Sequence, residues 1–155
     1  MPDLREVANV NDFKPGAMKA VNIDGHEYLI ARVDNTFYVA DNRCRHMGGN
    51  LSQGKLEGTI VTCPRHGSQY DLKDGHVVRW TTWPAALVTI DQVRSRTRSL
   101  PVYPVVIEGD KILVNTGKVL VNRQGCYQKI HKIPYFTVYN VSRYNDAKDL
   151  GGKND

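Results

Sequence analysis

Short runs of alternating apolar and polar residues, separated by turn dipeptides, dominate residues 1–116. "MKAVNI" leads through Asp24-Gly25 into "HEYLIARV", and that run leads through Asp34-Asn35 into "TFYVAD". Asp-Gly between two such runs is a strong hairpin signal. "GTIVTC" (58–63) is a further run, and "HVVRW" (76–80) follows the Asp74-Gly75 turn. "PVYPVVIE" turns at Gly109-Asp110 into "KILVNT". Strands this short and this regularly punctuated predict an all-β, antiparallel architecture, either a sandwich or barrel-like.

One segment breaks the pattern. "PAALVTIDQVRSRTRS" (84–99) carries Leu87, Ile90 and Val93 about one helical turn apart. Pro84 suits a first turn, and Arg94, Arg96 and Arg98 suit a last turn, where cations complement the helix dipole. The spacing predicts one short helix inserted among the strands. After Asn115 the periodicity weakens. "KVLVN" and "YFTVYNV" are candidate extra strands, and "NDAKDLGGKND" reads as a frayed end. The expected organisation is one domain over 1–116 followed by a basic extension over 117–155.

Composition changes this picture only at the margins. The chain has 155 residues, 41% hydrophobic and 24% charged, as a globular domain with one sizeable core would have. "MPDLREVANV" has no basic region followed by an apolar run, so no signal peptide is expected. No run approaches the roughly 18 apolar residues of a membrane span. Net charge is +5, with 14 Lys+Arg against 13 Asp+Glu up to residue 116 and 7 against 3 after it. At that density the tail reads as solvated surface rather than a nucleic-acid site. Three cysteines argue against a disulfide framework and for a reducing, cytoplasmic setting, where clustered thiols are more often metal ligands.

The chemistry lies in two short stretches. "CRHMGG" (44–49) places Cys44 and His46 two positions apart, ahead of Gly48 and Gly49. "CPRHGSQYD" (63–71) places Cys63 and His66 three apart, ahead of Gly67. Each pair follows a β run, and the glycines give the backbone room to approach something bulky. Two thiols and two imidazoles could hold a tetrahedral zinc ion. Zinc sites usually bring the two Cys together and the two His together, whereas here each loop supplies one of each. The same four groups could hold a [2Fe–2S] cluster, with two thiolates on one iron and two imidazoles on the other. His26, His76 and His131 stand alone in the sequence and read as strand or surface residues, and Cys126 as a structural or semi-exposed thiol.

The stretch "CRHMGGNLSQGKLEGTIVTCPRHGSQYDLKDG" (44–75) resembles both cluster loops of the Rieske iron–sulfur family and the hairpin between them. "LPVYPVVIEGDKILV" (100–114) is similar to the closing strand pair of such domains. The likeness extends over about residues 5–115. It implies an antiparallel β-sandwich with the cluster at its tip, the ligands Cys44, His46, Cys63 and His66, and His ligands partly exposed there. Membrane-anchored bc-type members carry a disulfide between the cluster loops. The positions that would supply it are Gly49 and Arg65 here, so the chain resembles soluble ferredoxins and oxygenase components instead. Oxygenase catalytic subunits add a domain with mononuclear iron, for which the roughly 40 residues after 115, with His131 as their one His, leave no room.

The resemblance also implies tuning residues. Ser68 and Tyr70 stand where high-potential members keep a Ser donating to a bridging sulfide and a Tyr donating to a cysteine sulfur, next to Gly67. The implied function is a one-electron carrier that takes electrons from a reductase and gives them to an oxygenase or other acceptor. The protein would do no bond chemistry itself. A Rieske subunit or redox-sensing module of a larger complex is the alternative. Arg43, Arg45 and Arg65 flank the ligands, and such a ring would suit redox partners with an acidic docking face.

Overall fold

A computed structural model describes residues 4–84 and 98–117. Eleven strands occur among these residues: β1 (Leu4–Asn9), β2 (Met18–Ile23), β3 (His26–Val33), β4 (Thr36–Asp41), β5 (Lys55–Glu57), β6 (Ile60–Thr62), β7 (Gln69–Asp71), β8 (Val77–Arg79), β9 (Val102–Tyr103), β10 (Val105–Glu108) and β11 (Lys111–Asn115). They form three antiparallel sheets, ordered β1-β11-β10, β2-β3-β4-β9 and β5-β6-β7-β8. The all-β expectation holds. Every punctuated pair named above forms a hairpin in register, with Ile23 opposite His26 and Val33 opposite Thr36.

The β2-β3-β4-β9 sheet is covered on both faces. Along β3, Leu29 and Ala31 enter one core, with Ala40, Leu51, Val61, Tyr70, Leu72, Leu100 and Val102. Tyr28 and Ile30 enter the other, with Phe13, Phe37, Val39, Ile112 and Val114. Successive strand side chains point to opposite faces, so the run Tyr-Leu-Ile-Ala needs an apolar layer on each side. The first core backs the β5–β8 sheet; one Cys-His stretch lies between β4 and β5, closed by a bridge between Arg43 and Asn50, and the other lies between β6 and β7.

The predicted helix over 84–99 and the candidate strands, Cys126 and His131 after residue 117 lie outside the described residues. Two other histidines are less isolated than the sequence suggests. His26 Nε2 lies 2.7 Å from Asp41 Oδ1, and the Tyr103 hydroxyl donates to the same oxygen at 2.7 Å. His76 Nδ1 lies 2.6 Å from Asp74 Oδ1. Among the described residues, no helix is long and apolar enough to cross a membrane.

Gly75 ties the site sheet to the middle sheet. Its N–H donates to the Asp71 carbonyl at 2.7 Å, and its carbonyl accepts from Leu100 at 2.8 Å, just before β9. Its φ is +76°, and a Cβ there would fall on the Leu100 carbonyl. Gly75→Ala is therefore expected to cost at least roughly 1–2 kcal/mol from the left-handed backbone alone. A thermal melt should show Tm lower by about 4–8 °C per kcal/mol lost, and an unchanged Tm would contradict this packing.

Candidate metal centre

The two Cys-His stretches fold into matching turns. In the first, Cys44 N–H donates to the Gly49 carbonyl at 2.8 Å, and Gly48 N–H donates back to the Cys44 carbonyl at 2.8 Å. In the second, Cys63 N–H donates to the Ser68 carbonyl at 2.8 Å, and Gly67 N–H returns to the Cys63 carbonyl at 3.2 Å. Gly48 and Gly67 both take φ of +70°, a left-handed geometry that closes each turn behind its His. Position for position, the loops are the same device, although one spaces its ligands by two and the other by three.

The turns bring like groups together. The thiols of Cys44 and Cys63 are 4% and 2% exposed, members of the first core, and within hydrogen-bonding reach of each other. Burial pushes the Cys63 thiol up. The N–H groups of Arg65 and His66 oppose that shift, and the Cys44 thiol adds to it. The imidazoles of His46 and His66 face each other edge-on, with centroids 5.1 Å apart. Among the described residues, no group of three or more His, Cys, Asp or Glu is placed to hold one metal ion. A single zinc would need all four donors on one point. A thiol pair beside an imidazole pair instead suits two irons, one for each pair, so the donor set fits a Rieske-type [2Fe–2S] cluster.

Gly49 is needed for space rather than for φ. A Cβ there would lie 2.8 Å from Cys63 Sγ and 3.1 Å from Arg65 Cδ. The Arg65 stem thus lies over Gly49, and its guanidinium Nη1 donates to the Met47 carbonyl of the other loop at 3.3 Å. The two positions that would hold a bc-type disulfide are in contact here without a covalent bond.

The tuning residues separate. Tyr70 is fully buried, with its hydroxyl 3.4 Å from Cys44 Sγ. That oxygen also accepts the Arg45 N–H, and towards a Cys44 thiolate, which has no proton, the hydroxyl would be the donor. Burial first, and then the Cys44 contact, push its pKa far above the usual phenol range. The buried Ser68 hydroxyl donates to the Trp80 carbonyl. A proton held there is not shared with a bridging sulfide, so mutation distinguishes a structural role of Ser68 from a tuning role. Gly67 serves geometry, since a Cβ on it would strike the Thr82 methyl.

Exposure of the ligand histidines also differs. His66 is half-buried, but His46 is only 8% exposed. Trp80 and Trp83 cover it edge-on, with centroids at 5.1 and 5.2 Å, and Trp83 also meets His66 at 5.4 Å. Neither tryptophan was singled out from the sequence. The repeated "WTTW" at the end of a strand run was the available signal. Of the arginines, Arg43, Arg45 and Arg65 are all exposed. Arg43 Nε, however, lies 3.5 Å from Glu27 Oε2, and Arg65 is engaged across the loops.

A model of the Rieske [2Fe–2S] domain matches residues 3–104. The ferredoxin component of a naphthalene 1,2-dioxygenase system from Pseudomonas aeruginosa is 29% identical over 100 residues, 64% of this chain and 83% of that protein. Among solved structures, the ferredoxin of carbazole 1,9a-dioxygenase from Nocardioides aromaticivorans IC177 superposes with a TM-score of 0.58 at 26% identity, over 72% of this chain and 95% of its own. A Sphingomonas yanoikuyae B1 ferredoxin gives 0.59 at 25% identity, over 74% and 99%.

Tyr70 and Ser68 should behave differently when mutated. Tyr70→Phe removes a donor to a cysteine sulfur, so an added electron is less stabilised. One electron at about 59 mV is about 1.4 kcal/mol, and a hydrogen bond to a charged group is worth about 1.5–3 kcal/mol, of which only the difference between redox states counts. The potential should fall by tens of millivolts, up to about 100 mV. Ser68→Ala should leave the potential near wild type and lower Tm, because the buried Trp80 carbonyl loses its donor at about 1–3 kcal/mol. Voltammetry and thermal melts of both variants check this. A Ser68→Ala shift as large as that of Tyr70→Phe would contradict the assignment.

Proposed function

The chain belongs to the Rieske [2Fe–2S] family, and from that premise we propose that it is a one-electron carrier serving an oxygenase system. Cys44, Cys63, His46 and His66 are the proposed ligands. The observation that carries the proposal is the pairing: two thiols side by side in a dry core, and two imidazoles side by side toward the surface, on matching turns. When bound, the cluster supplies one site that accepts and returns a single electron. Two thiolates and two neutral imidazoles would offset the net charge of an oxidised two-iron, two-sulfide core completely, where four thiolates would leave it at −2. An electron is then easier to add, which favours a potential of roughly −150 to +300 mV over about −400 mV.

The residues divide the work by position. The thiols stay in the core, where Leu51, Val61 and Leu72 exclude water. The imidazoles form the electron port. The relatives named above are ferredoxins of dioxygenase systems, and that supports a reductase as donor and a terminal oxygenase as acceptor for this chain. The three-cysteine count, too low and odd for a disulfide framework, supports a reducing, cytoplasmic setting.

The direct test is anaerobic purification followed by visible absorption, low-temperature EPR of the reduced protein, and metal and sulfide analysis. The expected result is a Rieske spectrum with iron and sulfide in equal amounts, lost in Cys44→Ser and Cys63→Ser. A colourless protein with one zinc per chain would overturn the proposal.

Docking gives a second test. Arg45 and Arg65 adjoin the ligands and are exposed, whereas Arg43 is offset by Glu27. Association with an acidic reductase should slow as the Debye length shrinks from about 30 Å at 0.01 M salt to about 8 Å at 0.15 M. Arg45→Glu should slow electron transfer at low salt with the EPR spectrum intact. A stopped-flow rate equal to wild type would remove this face from the docking surface.

A further inference from the structure

The segment Thr81–Trp83 hangs from the carbonyl of His66. That oxygen accepts the Thr82 N–H at 2.9 Å, the Thr81 hydroxyl at 3.1 Å and the Thr82 hydroxyl at 3.1 Å. Trp83 N–H in turn donates to Thr81 Oγ1 at 3.3 Å. Gly67 lets the Thr82 methyl sit against the loop. The strap is thus fixed to the peptide of the residue beside which its indole comes to rest. The Trp83 ring is half-buried, and with the two imidazoles it forms a nearly equilateral triangle of centroids 5.1, 5.2 and 5.4 Å apart.

This placement separates the His46 imidazole from solvent and leaves that of His66 half-buried. His46 is buried under Trp80 and Trp83, so a large partner cannot touch its ring directly. Trp83 touches both rings on its inner side and reaches the surface on its outer side. Electron tunnelling falls off steeply with gap width, and more gently through bonded or contacting atoms than through empty space. A protein docked over His46 therefore meets the indole before that ring, and the indole lies beside the half-buried His66 ring on the same face.

We propose that Trp83 is the outer contact of the electron port, the surface through which a protein partner exchanges electrons with the His46–His66 pair. The partner it suits presents an apolar spot rimmed by carboxylates. Met47 beside His46 is 55% exposed, Arg65 of the second loop reaches the Met47 carbonyl, and Arg79 at the end of β8 adds an exposed positive charge next to that loop. Arg79 is held in place by donating to the Gly67 carbonyl at 3.0 Å.

The inference rests on the proposed ligation. The wild-type EPR spectrum is therefore recorded first, and its absence would fail that reading before any variant is compared. Reduced wild type, Trp83→Ala, Trp83→Leu and Trp83→Phe are then oxidised in stopped flow by two reagents. One is hexacyanoferrate(III), small enough to enter the space the indole leaves. The other is a small acidic blue copper protein, too large to enter it. Each takes one electron, giving hexacyanoferrate(II) or Cu(I), with no bond made or broken. In Trp83→Ala the rate to the copper protein should fall severalfold while the rate to hexacyanoferrate(III) rises. Trp83→Phe should recover most of the copper-protein rate, and Trp83→Leu should recover little. The Leu variant also keeps enough bulk to make the comparison if the Ala variant does not load. Potential and EPR spectrum should stay at wild type. A copper-protein rate unchanged in both truncated variants overturns the proposal, as does an equal slowing with both oxidants. A shifted potential or spectrum also overturns it, since Trp83 would then act on the cluster and not on the partner.

Discussion

Each Cys of the site is fixed by its own peptide. Its N–H reaches a carbonyl five residues on, and its carbonyl receives an N–H from four residues on. Two such bonds close a ring of backbone around each thiol, and a left-handed glycine completes the turn. The backbone at both sulfurs is therefore fixed by the turns themselves, which is what a preorganised site requires. The rest of the molecule follows from that constraint. The two turns must lie against each other, and the chain achieves this by leaving β4 through the first turn, entering the β5–β8 sheet, and making the second turn between β6 and β7. The sulfurs must be dry, so the sheet packs on Leu29, Ala31 and Ala40 of the middle sheet.

A dry site makes every polar group nearby costly unless it is partnered. Tyr70 meets this by accepting from Arg45 and facing the Cys44 sulfur. Cys63 receives N–H groups from Arg65 and His66. Ser68 could have faced a sulfur, but the Trp80 carbonyl is buried beside it and has the stronger claim as an acceptor. A neutral carbonyl left unpaired would lose more than a sulfur that already has N–H donors nearby. The His66 carbonyl carries this economy furthest, with three donors from Thr81 and Thr82 organising the strap above the imidazoles.

Much of this was legible along the chain. The hairpins at Asp24-Gly25 and Gly109-Asp110 follow from turn chemistry and period-two alternation, both local signals. The ligand residues stood out because Cys, His and Gly recur in one short order. What was not legible depends on distant contacts. The run Tyr28–Ala31 fits a strand covered on one face or two, and only the placing of β1 and β11 decides between them. The Ser68 hydroxyl is oriented by a carbonyl twelve residues away. Trp80 and Trp83 show no periodicity that ties them to His46. Their position comes from a peptide oxygen, which a sequence does not display as a side chain. For the same reason the burial of His46 could not be foreseen.

The tie between the loops shows how one constraint is met by different chemistry. A covalent bridge would hold the turns together whatever the redox state of their surroundings. Here Arg65 crosses instead, its stem over Gly49 and its guanidinium on the Met47 carbonyl. Such a contact survives in a reducing setting, where a disulfide would not persist. It also leaves an exposed guanidinium on the loop that carries His66. The same side chain thus braces the loops and adds charge to the proposed docking face. It does so only because residue 49 has no side chain: a Cβ there would displace the Arg65 stem and crowd the Cys63 sulfur. Gly49 and Arg65 therefore act as a pair, and the geometry of the thiols and the charge of the port depend on the same contact.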